Sequence, residues 1–237
     1  MVDETDISQE IRWFHDQRAT TAVKNLRRNN MNAEYVETRQ EALATVLSMI
    51  PAGVKVARGD SMTIDQIGIV TALESTRNMK VADPMERNAD GTFHFPDVAQ
   101  RKAIAREAFT SDVFLVGANA VTLDGKLVNT DGWGNRVSAL TFGPDKVIVV
   151  AGTNKIVKDV EAALERIRSV AAPMNARRHF TKHQRTEFGD MPCVKTGSCV
   201  NCNHEWRICR HTVITEGAMV REKGRINVVL VGEDLGI

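Results

Sequence analysis

The amino-acid sequence predicts an α/β fold in which an open, largely parallel sheet is flanked by helices and carries a small cysteine-rich appendage. Short apolar runs of strand length alternate with helix-length segments along most of the chain. Several of these runs are apolar on both faces, as is typical of strands at the centre of a parallel sheet. All four cysteines fall near the C-terminal end of the 237 residues. With 43% hydrophobic residues, a chain of this length can form one main core.

Apolar patterning and turn residues predict each element in order. An extended piece at residues 35–36 is followed by buried strands at 54–57, 79–82, 112–116, 146–151 and 226–231. Helices are predicted from about 40 to 50, 64 to 73, 96 to 109, 135 to 142 and 156 to 171, the last ended by Pro173. Residues 83–96 lack periodicity and predict a long loop. The Asp124-Gly125 pair between apolar residues predicts a tight β-hairpin.

The same patterning divides the chain into four parts. Residues 1–30 predict an N-terminal helical arm, and residues 31–172 predict the α/β core. Residues 173–215, the cysteine-rich segment, are basic and poor in aliphatic side chains, so a metal or cluster is expected to replace an apolar interior there. Residues 216–237 contain a strand that returns to the core. That return would tie both ends of the cysteine-rich segment to a rigid base.

The balance of charge excludes several classes of partner. Lys and Arg total 31 against 30 Asp and Glu, so no overall field attracts nucleic acid or an anionic membrane. The first residues are acidic and polar where a secretion signal needs a basic start, and no apolar stretch reaches membrane-spanning length. We therefore expect a cytoplasmic protein. In a reducing compartment, clustered cysteines indicate metal or cluster ligation and not disulfides.

The cysteines Cys193, Cys199, Cys202 and Cys209 are close enough in sequence to converge on one centre. Five residues separate the first two, two residues separate the next pair, and six separate the last pair. The two-residue spacing lets one turn present both sulfurs to a metal. A 4Fe-4S cluster and tetrahedral zinc both accept four thiolates, and the lack of two well-separated Cys-x-x-Cys pairs favours the cluster. Thiols with no ligand role are the third interpretation.

The loop after the strand at 54–57 is a candidate anion site. Its candidate ligand-binding residues are Gly59, Asp60, Ser61 and Thr63. They lie between a buried strand and a helix start, where backbone N–H groups and hydroxyls point toward an anion. The polar side chains are equally those of an ordinary helix cap, so both interpretations stay open.

A second polar loop, residues 117–136, directly follows a central strand. Open α/β sheets bind ligands at this end of their strands. The candidate ligand-binding residues there are Gly117, Asn119, Asn129, Asn135 and Arg136. Turn chemistry accounts for Asp124 and Asp131, but it does not require the asparagines at 119 and 129 or the arginine. Lys155 follows the next strand and either reaches the same crevice or is an exposed residue at a helix start.

Four stretches resemble the LUD domain of lactate-utilisation proteins: residues 117–129 (GANAVTLDGKLVN), 131–136 (DGWGNR), 142–147 (FGPDKV) and 152–155 (GTNK). The resemblance extends over roughly residues 10–170. It implies the fold shared with ribose-5-phosphate isomerase, glucosamine-6-phosphate deaminase and CoA transferases. Residues 58–63 would then replace a phosphate-binding Gly-Ser-Thr loop, from which Asp60 and Met62 depart. Because Asn119 stands where the sugar-phosphate isomerases often have an acidic residue, isomerase activity is not implied.

Three functions stay open. The first is a LUD-family iron-sulfur protein that binds a small carboxylate or phosphorylated ligand in 2-hydroxy-acid oxidation, with Arg136 and Lys155 neutralising substrate charge. The resemblance implies an iron-sulfur or flavin redox protein as its partner. The second is a non-redox enzyme whose cluster or zinc acts as a Lewis acid, with Asp124 or Asp131 as base. The third is a regulatory or assembly subunit with a structural metal. Asp124, Asp131 and Lys155 are thus the candidate catalytic residues.

Overall fold

The computed structural model describes residues 5–237, so the first four residues of the predicted helical arm lie outside the described range. The fold is α/β, as the sequence predicts. The strands are β1 (Asn32–Val36), β2 (Val56–Arg58), β3 (Val81–Ala82), β4 (Val113–Gly117), β5 (Ala120–Thr122), β6 (Leu127–Asp131), β7 (Lys146–Gly152), β8 (Ile156–Val157), β9 (His211–Thr215) and β10 (Ile226–Val231). The helices are α1 (Ser8–Arg28), α2 (Arg39–Met49), α3 (Met62–Gln66), α4 (Ile69–Arg77), α5 (Val98–Glu107), α6 (Asn135–Thr141), α7 (Val160–Arg166), α8 (Ala172–His183), α9 (Thr186–Gly189) and α10 (Pro192–Thr196). Within this described range, no helix is both long and apolar enough to cross a membrane.

In residues 5–237, six strands form one parallel sheet, the main sheet, in the order β1-β10-β7-β4-β2-β3. The chain leaves β2 for β3 on one side and then places β4 on the other side of β2. The direction of winding therefore reverses between β2 and β4, which leaves a crevice at the carboxyl ends of these two strands. β10 pairs with both β1 and β7, so the chain returns to the sheet after the cysteine-rich segment.

Side chains of the main sheet alternate between two apolar layers. In β10, Val228 and Leu230 pack in the same cluster as α1, whereas Val229 and Val231 pack in the cluster that contains α2 and α4. None of these four side chains is more than 1% exposed. Each fully buried Val or Leu contributes roughly 1.5–3 kcal/mol to stability. Burial on both faces is the reason these strands are continuous apolar runs in the sequence.

A second, smaller sheet, in the order β8-β5-β6-β9, contains the predicted β-hairpin as the antiparallel pair β5 and β6. Gly125 in the hairpin turn has a φ of +85°, a left-handed conformation. A Cβ on this glycine would lie 2.4 Å from the backbone carbon of Asn25 in α1. The Asn25 side chain donates a hydrogen bond to the Leu123 carbonyl (2.7 Å), and Asn29 donates one to the Gly125 carbonyl (2.9 Å). The hairpin therefore packs directly on the backbone of α1.

The helix that follows β8 does not end at Pro173, so that expectation from the sequence is wrong. α7 continues through a π-helical turn at Ile167–Ala171 directly into α8. Pro173 lies in the first turn of α8, where its missing N–H is tolerated because the π turn has already interrupted the α-helical hydrogen-bond ladder. As a result, α8 extends across the carboxyl ends of the main-sheet strands.

The close packing of the hairpin on α1 predicts a large loss of stability for Gly125→Ala. The added Cβ would collide with the α1 backbone and would also strain a left-handed residue, so we expect the free energy of unfolding to fall by about 2–4 kcal/mol in urea denaturation. Gly53→Ala is the matched control, because Gly53 has a similar φ of +80° but nothing within 4 Å of its Cβ position. Equal losses in the two variants would show that the contact with α1 is unimportant.

Candidate functional site

The predicted site is a cavity of about 530 Å³ at the crevice between β2 and β4. Its wall is formed by the loops after β2, β4, β6 and β7, by α8 and by part of the cysteine-rich segment. The predicted site residues that line it are Asp60, Ser61, Gly117, Asn119, Asp131, Asn135, Arg136 and Lys155. Gly59, Thr63 and Asn129 contact these residues from behind the wall. The structure therefore brings the two strand-end loops together at one cavity.

Two glycines let the ends of β2 and β4 close around the site. A Cβ on Gly117 would lie 2.6 Å from Ser61 Oγ, and a Cβ on Gly59 would lie 2.8 Å from Arg136 Cγ. These positions need glycine because another chain segment occupies the space of a side chain. The Ser61 hydroxyl also accepts a hydrogen bond from the Ile64 N–H (3.4 Å), so Ser61 caps α3.

Asp60 forms ion pairs with α8. Its carboxylate accepts hydrogen bonds from Arg178 (2.9 and 3.1 Å) and from Lys182 (3.3 Å). Burial alone would raise the pKa of Asp60, but the hydrogen bond from Arg178 and the charges of Lys182 and Arg178 hold this pKa far below its usual value. We call these three residues the α8 clamp, because they fasten α8 to the loop after β2.

Removing the carboxylate of the clamp is expected to destabilise the protein. Asp60→Asn leaves two largely buried cations without their partner, which costs about 3 kcal/mol in free energy of unfolding, measured by urea denaturation. Asp190→Asn breaks the exposed pair with Lys195 and serves as the control, with an expected loss below about 1 kcal/mol. Similar losses in the two variants would contradict a structural role for the clamp.

Lys155 is a buried amine that has no carboxylate partner in the described part of the chain. The residue is 3% exposed, and its Nζ donates a hydrogen bond to Thr63 Oγ1 (2.9 Å). Burial, together with the positive charges of Arg166 and Arg136, lowers the pKa of Lys155 to about 7. Near neutral pH, a large fraction of Lys155 is therefore a neutral amine at the cavity wall that can accept a proton.

The lowered pKa of Lys155 makes stability depend on pH. Between about pH 7 and pH 10 the unfolded chain holds a proton on this lysine that the folded chain has lost, so stability rises with pH by up to about 1 kcal/mol per unit. In urea denaturation at pH 7, 8 and 9, Lys155→Met is expected to remove this rise of the free energy of unfolding with pH. Lys158→Met, at an exposed position, should keep it. An unchanged slope in Lys155→Met would mean that the amine stays charged.

Asp131 shapes the loop that carries Arg136. Its carboxylate accepts hydrogen bonds from the N–H groups of Gly132 (2.8 Å) and Arg136 (2.9 Å), so it caps the start of α6. The guanidinium of Arg136 donates one hydrogen bond to the Thr130 carbonyl (2.9 Å), and its Nε lies 3.6 Å from Asp131 Oδ1 in an ion pair. Its remaining N–H groups are available at the cavity. Asp131 therefore holds the loop in its conformation, and Arg136 remains able to bind an anion.

The two asparagines connect the strand ends, whereas Asp124 lies apart. Asn119 accepts a hydrogen bond from the Thr130 N–H (2.8 Å), and Asn129 accepts one from the Asn119 N–H (3.2 Å). Asn119 lines the cavity, and Asn129 lies behind it. The Asp124 carboxylate accepts a hydrogen bond from the Thr122 hydroxyl in the turn of the hairpin, and Asp124 does not line the cavity.

Sequence reasoning missed the part of the wall that α8 contributes. Asn175, Arg178, His179 and Lys182 recur at helical spacing, which was the available signal for one polar helix face. His179 lines the cavity, and its buried Nδ1 has no hydrogen-bond partner in the part of the protein that the structure describes. Burial lowers the pKa of His179 to about 4, so this ring is neutral near neutral pH.

The four predicted cysteines, Cys193, Cys199, Cys202 and Cys209, line a second cavity of about 130 Å³. Each is partly buried and forms no disulfide. Burial raises the pKa of the Cys193 thiol, and the negative charges of the other three raise it further. In residues 5–237, no group of three or more His, Cys, Asp or Glu side chains is arranged to hold a metal ion. The chain therefore gathers the thiols at one cavity without forming a closed single-ion site.

The two cavities share part of their walls. Thr130, Arg207 and Ile208 line both. The Arg207 guanidinium donates hydrogen bonds to the Cys202 carbonyl (2.6 Å) and the Cys209 carbonyl (2.7 and 3.0 Å). Arg207 thus fixes the backbone between two of the cysteines and also contacts the larger cavity.

Comparisons with known proteins identify the fold and family. A family model described as LUD domain matches residues 19–231. Among solved structures, a DUF162 family protein from Deinococcus radiodurans is similar, with 14% identity over 92% of this chain and 97% of that chain, and a TM-score of 0.50. At this identity the similarity shows the fold alone, and the more specific likeness to ribose-5-phosphate isomerase stays a prediction. A search of curated proteins finds no match.

Proposed function

Because this chain belongs to the LUD domain family, which is associated with lactate utilisation, we propose that it is an iron-sulfur protein that takes part in oxidising lactate or a related 2-hydroxy acid. The family predicted from the sequence is thereby confirmed. One observation carries the proposal: the cavity lined by the four cysteines shares a wall with the cavity at the strand ends. A substrate in the larger cavity would be a direct neighbour of a redox centre in the smaller one.

The cofactor that we propose for the four cysteines is a 4Fe-4S cluster, with zinc as the alternative. Four thiolates complete the protein ligand set of such a cluster. All four cysteines line the same cavity of about 130 Å³, which places their thiols around one space. Arg207 places a positive charge beside a centre that would be anionic. When bound, the cluster supplies one-electron transfer.

The larger cavity offers hydrogen-bond donors and polar side chains to a small carboxylate. Arg136 presents unused guanidinium N–H groups, which bind carboxylates in a two-pronged manner. Ser61 and Asn119 line the same wall and add polar contacts. The substrate carboxylate is therefore expected to pair with Arg136, with its hydroxyl directed toward Lys155.

Lys155 is suited to take the hydroxyl proton of the substrate. Oxidation of a 2-hydroxy acid to a 2-oxo acid removes two electrons and two protons, one proton from the hydroxyl and one from the carbinol carbon, the second of which would pass to solvent. The cluster would accept one electron at a time, so the second electron would pass to another redox centre, such as the iron-sulfur or flavin partner. The pKa of Lys155, about 7, is well matched to a general base that works near neutral pH. Its hydrogen bond to Thr63 fixes the amine at the wall.

Anaerobic purification with iron, sulfide and zinc analysis tests the cofactor. We expect about four iron and four sulfide per chain, with an electron paramagnetic resonance signal after reduction. Cys202→Ser removes a thiolate ligand and is expected to lose most of the iron, whereas Ser198→Ala, at an exposed position of the same segment, should retain it. Stoichiometric zinc, or equal iron in both variants, would contradict the proposal.

The shared wall also favours a second function, in which the cluster acts as a Lewis acid of a non-redox enzyme. Adding lactate anaerobically to a more than twofold excess of the oxidised protein, so that two clusters can each take one electron, separates the two. Under the redox function the signal of the reduced cluster appears. Under the non-redox function the spectrum shifts while the oxidation state stays the same. A cluster that responds to lactate in neither way would contradict both.

A further inference from the structure

A second group of residues in the larger cavity has no role in the proposed oxidation. It consists of the rings of His179, His183, Phe188 and Trp206 and the guanidinium of Arg101, and we call it the aromatic wall. We infer that the aromatic wall binds a planar aromatic anion of the size and chemistry of flavin mononucleotide. The inference rests on the geometry of this cavity, and it stands whether or not the cysteines hold a cluster.

The size of the cavity points to a ligand larger than a hydroxy acid. A volume of about 530 Å³ lies within the range of roughly 300–1,000 Å³ that holds ligands the size of drugs or cofactors. Lactate has only a handful of non-hydrogen atoms and would fill a small part of this space beside Arg136 and Lys155. The remaining volume is bounded by the aromatic wall.

Three of the rings, those of His179, His183 and Phe188, stack on one another, and Trp206 meets Phe188 edge to face at an interplanar angle of 73°. Ring centroids lie 5.3 Å apart for His179 and His183, 5.5 Å for His183 and Phe188, and 5.5 Å for Phe188 and Trp206. Burial lowers the pKa of both histidines to about 4, so their imidazoles are neutral near neutral pH. Rings held in place by one another lose little entropy when a ligand binds, and together they give this side of the cavity an aromatic lining.

Arg101 is a buried cation with unused donors. The residue is 9% exposed, and its Nε has no hydrogen-bond partner among the described residues. Its guanidinium lies 4.5 Å from the centre of the Phe93 ring, and Phe93 stacks on His183 at 5.3 Å. A buried guanidinium without an acceptor is costly, and an anionic ligand group would supply the acceptor. The ligand is therefore expected to carry negative charge as well as a ring.

The other charges at the cavity favour the same choice. Arg185 lies 4.9 Å from the centre of the Trp206 ring, and Arg210 also lines the cavity. Of the lining carboxylates, that of Asp60 is engaged in the α8 clamp and that of Asp131 by backbone N–H groups, whereas Glu205 is exposed to solvent. Positive charge among rings disfavours a cationic aromatic ligand and attracts an anionic one.

Titration of the purified protein with flavin mononucleotide tests the inference. Binding is measured by flavin fluorescence and by calorimetry. Wild-type protein is expected to bind flavin mononucleotide, and to bind riboflavin, which lacks the phosphate, about tenfold more weakly. Arg101→Gln should weaken binding of flavin mononucleotide about tenfold. Arg106→Gln, an exposed position on the same helix, is the matched control and should bind as wild type.

Two further measurements keep the test decisive if Arg101→Gln fails to fold. Phe188→Leu removes one ring and should weaken binding severalfold, and anthraquinone-2-sulfonate, a planar anion of different skeleton, should compete with flavin mononucleotide. Inorganic phosphate at the same concentration should not compete. The inference is overturned if wild-type protein binds neither planar anion, if riboflavin binds as well as flavin mononucleotide, or if phosphate alone displaces it.

Discussion

The buried ion pair between Asp60 and the cations Arg178 and Lys182 is the interaction on which the arrangement of the site depends. The cysteine-rich segment has few aliphatic side chains, so burial of apolar surface contributes little to holding it against the main sheet. The α8 clamp stabilises this packing at the start of the segment, because it joins α8 to the loop after β2. A carboxylate with a strongly lowered pKa stays charged throughout the physiological range, so the clamp holds there.

With α8 fastened, the molecule leaves two buried basic side chains without carboxylate partners in its described residues. Lys155 meets only a hydroxyl at the strand ends, and Arg101 meets only an aromatic ring at the aromatic wall. The protein does satisfy comparable cations elsewhere, as the α8 clamp shows. At the first place, an amine with a lowered pKa can accept a proton from a small hydroxy acid, and at the second, a guanidinium without an acceptor is consistent with an anionic ring system.

The fold was predictable because its central strands are buried on both faces and therefore stand out as apolar runs, such as the one in β10. The strand-end loops were predictable for the same reason, since they follow those strands directly. The partner of Asp60 was not, because Arg178 lies 118 residues away and no local pattern encodes that pairing. The course of the chain past Pro173 was also missed, because a π turn has no apolar periodicity of its own. Hence the contribution of α8 to the cavity wall could be identified only from the structure.

X-ray absorption at the iron edge, on anaerobically purified protein, tests the central claim most directly because it reports the atoms that surround the metal. If Cys193, Cys199, Cys202 and Cys209 hold one 4Fe-4S cluster, the spectrum will show iron surrounded by sulfur alone, together with scattering from neighbouring iron atoms. Iron bound mainly by nitrogen or oxygen, iron without an iron neighbour, or protein with no iron edge would contradict the account.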